Sequence, residues 1–167
     1  SAASDVYKRQ YINSQTYRDN KILFKEIAEV CKLDLISNMV VEIPKLQGYI
    51  GAYYAKETGL TTVVANGIKD HYSPKNPEDG IPGTVDAQIV SMADKIDTIV
   101  GIFLINEKPS GTRDPLAIRR LSYGLIRILL NTKHSLSLTK LVDETQNLIS
   151  NKLTDLKKNH RAVSDCN

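Results

Sequence analysis

The stretch Asp34-Leu-Ile-Ser-Asn-Met-Val-Val-Glu-Ile-Pro-Lys-Leu-Gln-Gly-Tyr-Ile-Gly-Ala-Tyr-Tyr-Ala55 decides the fold. Ile43 precedes a proline, which biases it out of helical geometry, and Pro44 itself suits the first turn of a helix. One helix therefore ends near here, and a second is expected from Pro44 to about Thr58, stopping at Gly59. Gly48, Gly51, Ala52 and Ala55 leave one face of that second helix nearly bare. An internal Gly costs roughly 1 kcal/mol of helix propensity against Ala, so a close helix crossing is the expected compensation. Asp34, Asn38, Glu42 and Gln47 are polar positions in an otherwise apolar segment, and any that are buried need partners.

Working outward, Ile22, Phe24, Ile27, Val30, Leu33 and Ile36 mark a helix stripe over Arg18–Ser37. On the other side, Thr61 is placed to cap a helix that carries Val63, Val64, Ala65 and Ile68 and ends at His71-Tyr72. Ser73–Thr84 is rich in Pro and Gly and reads as a loop. Val85, Ile89, Met92, Ala93, Ile96, Ile99, Val100 and Phe103 then mark a long, largely buried helix, interrupted on one side by Asp94 and Asp97. After the polar loop Asn106–Arg113, Asp114-Pro115 reads as a cap and first turn for a helix to about Asn131, with Arg119, Tyr123 and Arg127 stacked along one side. A last amphipathic helix carries Leu138, Leu141, Val142, Leu148 and Ile149. Leu60–Ala65 is the only short strand candidate, so the fold class is all-α, with about six helices.

At 167 residues the chain suits one ordinary domain, and 41% hydrophobic with 25% charged content is that of a soluble globular protein. Its longest apolar run, near Ile99–Ile105, is too short for a membrane span. Cys31 and Cys166 lie far apart, which fits a reducing compartment and a cytoplasmic location. A net charge of +3 permits an anionic partner without arguing for one. Asp5-Val-Tyr-Lys-Arg-Gln10 matches a peptide encoded by a sequencing-library transposon end. Residues 1–10 are therefore expected to be non-native, and the rest is expected to be a fragment of a longer protein.

The chemistry-bearing residues are few. His71, His134 and His160 share no metal-ligand spacing, and His71, beside Asp70, is expected to cap a helix or face solvent. Neither Cys sits in an activated context, and there is no nucleophile elbow or phosphate-cradling glycine loop. Asp34 and Asp94 stand in apolar helices, where a carboxylate is expected to bond an Arg or backbone N–H groups. Arg113, Arg119, Arg120 and Arg127 lie in or beside one helix with an apolar far side. Guanidinium forks suit nucleic-acid phosphates and equally the chain's own carboxylates, Asp94 and Asp97 among them.

Several ordered blocks carry a resemblance: Lys32-Leu-Asp-Leu35, Met39-Val-Val-Glu42-Ile-Pro44, Leu46-Gln47-Gly48, Gly51, Tyr54-Ala55 and His71-Tyr72-Ser-Pro74. They continue with Ala93-Asp94-Lys-Ile-Asp97, Val100-Gly-Ile-Phe103, Pro109-Ser-Gly111, Asp114-Pro115, Arg119-Arg120, Gly124 and Arg127. Together, from about Asp19 to Leu130, they resemble the β subunit of the bacterial-type, heterotetrameric glycyl-tRNA synthetase.

The resemblance implies an HD-type helical domain, related to metal-dependent phosphohydrolases. It divides the chain into residues 11–133, a degenerate HD-like domain, and 134–167, a C-terminal helix leading into further sequence. The metal-binding His-Asp pair would fall at Leu33-Asp34 and the distant Asp at Asp94. With the His absent, Asp34 and Asp94 read as remnants of a site that holds no metal. The implied role is support of ATP-dependent glycine attachment to tRNA(Gly). This chain would supply tRNA contacts (Arg113, Arg119, Arg120, Arg127) and subunit assembly, without catalytic residues or a cofactor of its own. ATP with Mg would act at the partner α subunit, away from any membrane. The alternatives are a working HD phosphohydrolase or a helical partner-binding module.

Overall fold

The computed structural model describes residues 25–107, 114, 116–132 and 136–164, with side chains described as far as Asp155. Residues 25–30 form helix α1, and a 3-10 turn at Leu33–Ile36 leads into the short α2, Asn38–Glu42. A second 3-10 turn, Pro44–Leu46, precedes α3, Tyr49–Glu57. Then come α4 (Thr62–Asp70), α5 (Val85–Leu104), α6 (Ile118–Asn131) and α7 (Leu138–Ser164). No strand occurs among the described residues, and Leu60–Ala65 instead leads into α4.

The caps follow from the sequence. Ser37, Thr61 and Thr84 each accept, through the side-chain oxygen, the N–H three residues on, satisfying donors that a helix start leaves open. At the end of α3 the Gly59 N–H donates to the Lys56 carbonyl and the Leu60 N–H to the Ala55 carbonyl, closing the helix with a Schellman pair.

Two helix starts differ from expectation. Pro44 opens only the 3-10 turn, and the α-helix begins at Tyr49, because Gly48 turns the chain with φ +87°. Asp114 does cap α6, accepting the N–H of Ile118 at 2.8 Å and of Arg119 at 2.9 Å. The helix nevertheless starts at Ile118, after Ala117 in the left-handed region, so Asp114 reaches it across a turn. Pro115, Arg113, residues 1–10 and the predicted helical residues 18–24 lie outside the described residues.

α5 is the central helix, packed against α4, α6 and α7, while α3 lies across α4. Ile89, Met92 and Ile96 of α5 meet Ile68, Ile128 and Leu141 in the core. Fully burying a side chain of this size stabilises by about 1.5–3 kcal/mol. The expected stripe frays at its ends, where Val85 and Phe103 remain substantially exposed. The bare face of α3 packs as predicted: Ala52 and Ala55 are buried, and Gly51 faces Ile68 and Asp34. Among the described residues, no helix is long and apolar enough to cross a membrane.

Candidate functional site

Of the four polar residues in the decisive stretch, only Asp34 is buried, at 2% exposed. Asn38 and Glu42 face solvent, and Gln47 is half-buried, accepting from Lys75 Nζ at 3.4 Å. The short α2 explains this, since it turns only Val40 inward. Asp34 Oδ2 accepts the Gly48 N–H at 2.6 Å, and Oδ1 accepts the Tyr72 hydroxyl at 3.1 Å. One carboxylate thus ties together the 3-10 turn, the start of α3 and the end of α4. Gly48 must be glycine here: its φ is left-handed, and a Cβ would stand 2.9 Å from the Lys69 carbonyl oxygen. Burial, followed by the charge and hydrogen bond of Asp34, pushes the Tyr72 phenol far up, so it stays a donor.

His71 caps the C-terminus of α4, as expected of a His beside Asp70, its N–H donating to the Gly67 carbonyl, but it is buried rather than solvent-facing, packed on the Tyr72 ring with centroids 3.8 Å apart. The reason is its place at the end of α4, where the chain turns back under α5. Nδ1 lies 2.6 Å from the Ile68 carbonyl. A carbonyl only accepts, so Nδ1 carries the proton and Nε2 is a buried acceptor with no hydrogen-bond partner among the described residues. Burial lowers the His71 pKa and keeps the ring neutral.

Lys95, which in the sequence alone looks like an ordinary surface lysine, is 2% exposed. Its ammonium donates to Ser91 Oγ (2.7 Å) and to the carbonyls of Ser73 (3.0 Å) and Tyr72 (3.3 Å). Ser91 in turn donates to the Ser73 carbonyl at 2.6 Å. Burial pulls the Lys95 pKa down to about 8, partly opposed by the neighbouring Asp94 charge. The Ser91–Lys95 spacing of one turn, on a helix this apolar, was the available signal.

Asp94 pairs with Lys32 rather than with an arginine. Asp94 and Asp97, one turn apart as expected, line a cavity of about 390 Å³ with Cys31 and Lys32. Burial and the Asp94 charge push the Cys31 thiol up to about 11, far from an activated thiolate. A second cleft, of about 310 Å³, is lined by Lys32, Gln47, Tyr72, Lys75, Asp94, Lys95 and Arg120. Arg119 and Arg120 border a smaller hollow with Lys75 and Tyr123. Arg127 instead reaches across the surface to the Ser73–Thr84 loop, donating to the carbonyls of Asn76 (3.3 Å) and Pro77 (2.9 Å) and lying 5.6 Å over the Tyr123 ring.

A hydrolase metal does not fit these residues. Both Asp34 oxygens already accept hydrogen bonds, Asp94 is held by Lys32, and Leu33 stands apolar and exposed beside Asp34. Among the described residues, no three His, Cys, Asp or Glu side chains come together as a ligand set.

What remains is a helical scaffold, tied by one buried carboxylate, beside a cleft in which cations outnumber acids. The sequence profile described as Glycyl-tRNA synthetase beta subunit matches residues 5–165, and the chain belongs to this family. It is 47% identical over 131 residues to the glycine–tRNA ligase beta subunit of Rickettsia felis, covering 78% of this chain and 19% of that one. With the corresponding subunit of Phenylobacterium zucineum it shares 44% identity over 132 residues (78% and 20%). With that of Paracoccus denitrificans it shares 49% over 106 residues (64% and 16%). The chain thus spans about a fifth of the length of the relatives it matches.

Proposed function

We propose that this chain is a domain of the β subunit of glycine–tRNA ligase, in which it supports ATP-dependent attachment of glycine to tRNA(Gly). Its part is tRNA binding and subunit assembly, in the cytoplasm. The chemistry, with ATP and Mg, belongs to a partner α subunit. The observation that carries this reading is the family match across residues 5–165. The scaffold is read as an HD-type domain whose remnant carboxylates, Asp34 and Asp94, serve the fold. The cations bordering the two clefts, Lys75, Arg119 and Arg120, are the residues proposed to meet tRNA phosphates.

The test is tRNA(Gly) glycylation by an α subunit, alone and with the full-length β subunit that contains this chain. Charging should depend on β. Equal charging by α alone would overturn the proposal.

A further inference from the structure

The segment that names the family also carries an apolar face that none of the described residues covers. In the 3-10 turn, Leu33 and Ile36 are three residues apart and so share one side, with Asp34 turned inward between them. Met39 and Ile43 are four apart at the next helix and share its face. Tyr54 joins the two groups, because its hydroxyl reaches Met39 Sδ at 3.9 Å and its ring lines, with Leu33, an apolar hollow of about 150 Å³. Tyr53 packs edge-on to Tyr54, ring centroids 5.8 Å apart. The six side chains are exposed by amounts running from 40% range values such as Met39 (43%) to Ile36 (82%). Single exposed apolar residues need no account, but a set joined through Tyr54, with Leu33 and Tyr54 at the hollow, marks a contact surface.

We propose that this face docks another domain of the same β polypeptide, with an apolar side chain of that domain seated in the hollow between Leu33 and Tyr54. The inference rests on the β-subunit reading. Relatives are about five times longer than the matched portion of this chain, so most of such a subunit is tethered to this face. A tether raises the effective concentration of its own domains to about the millimolar range, ahead of a second copy or a separate subunit. The face is also apolar and tyrosine-rich, which suits a permanent contact more than a transient one.

The test is hydrogen exchange on the full-length β subunit, as wild type and as Ile36→Asp, with Val41→Asp as control. Val41 is two residues from Met39, so it points away from the face on α2. Ile36→Asp should speed amide exchange over residues 33–54, and over one segment distant in the chain, by about tenfold or more. Exchange in α5 should stay unchanged, and Val41→Asp should have no effect. Protection that appears only on adding α, that depends on β concentration, or that Ile36→Asp leaves intact would overturn the proposal. Charging by α plus wild-type β is measured separately, so a failure of the β-subunit reading is distinguishable from a failure here.

Discussion

The Gly48 N–H donates to Asp34 Oδ2 at 2.6 Å, across fourteen residues of sequence. This bond makes the acid a tie between the turn and the start of α3, and Tyr72 completes it from just beyond α4. Asp34→Ala would leave the buried Gly48 N–H and the half-buried Tyr72 hydroxyl without this acceptor. The expected loss is about 3 kcal/mol, from a charge-assisted bond and its stranded donors. Asp34→Asn keeps one acceptor oxygen and should lose roughly half as much. Urea unfolding checks both; equal stability of Asp34→Ala and wild type would remove the tie from the account.

Gly124 packs α6 tightly against Lys95 and Pro74. A Cβ there would stand 2.9 Å from Lys95 Cε and 3.0 Å from the Pro74 carbonyl oxygen. Lys95 has little room to give, since three acceptors hold its ammonium. Gly124→Ala should therefore destabilise by about 1–3 kcal/mol through overpacking, despite Ala's better helix propensity. A rise in melting temperature would contradict this packing.

Lys95 also sets a pH dependence. Its pKa falls from 10.5 to about 8 on folding, so between those values the unfolded chain holds a proton that the folded one has released. Stability from this site is therefore lost as pH falls through 8 and rises above it, by at most about 1.4 kcal/mol per pH unit. Above pH 9 Cys31, raised from 9.0 to about 11, acts in the opposite sense. The clean window is pH 8 to 9, where urea unfolding should show a rise that Lys95→Met abolishes.

At acid pH the buried neutral His71, its pKa lowered from 6.5, contributes stability that is lost as pH falls below 6.5. His71→Leu should flatten the melting temperature between pH 7.5 and 5.5. An acid-side loss as steep as in wild type would place its cause elsewhere.

The arginines separate by direction. Arg127 holds the carbonyls of Asn76 and Pro77, so Arg127→Gln should lower thermal stability by about 1 kcal/mol and leave the salt dependence of tRNA binding by full-length β unchanged. Arg120 borders both clefts, and Arg120→Gln should make that log–log slope shallower by about one. The reverse pattern would exchange their roles.

The all-helical class was legible because long apolar periodicities and Ser/Thr caps act locally. Thr61 needed no tertiary information to be placed as a cap. The start of α3 was not, because the left-handed turn at Gly48 depends on Asp34 reaching it from a distant segment. Asp34 was singled out correctly as a buried carboxylate needing a partner, and one expected partner type, a backbone N–H, was found. Its other partner, Tyr72, and the burial of His71 depend on how the end of α4 returns beneath α5. Lys95 was passed over because a lysine reads as surface until the helix around it is known to be enclosed.

The most direct test of the account is the glycylation kcat of an α subunit paired with full-length β carrying Asp94→Asn, measured well below its melting temperature. If Asp94 serves the fold through Lys32, kcat should stay within about twofold of wild type while stability falls. A loss of about a hundredfold with an unchanged helical circular-dichroism signal would contradict it, since that scale belongs to a group acting in the chemistry.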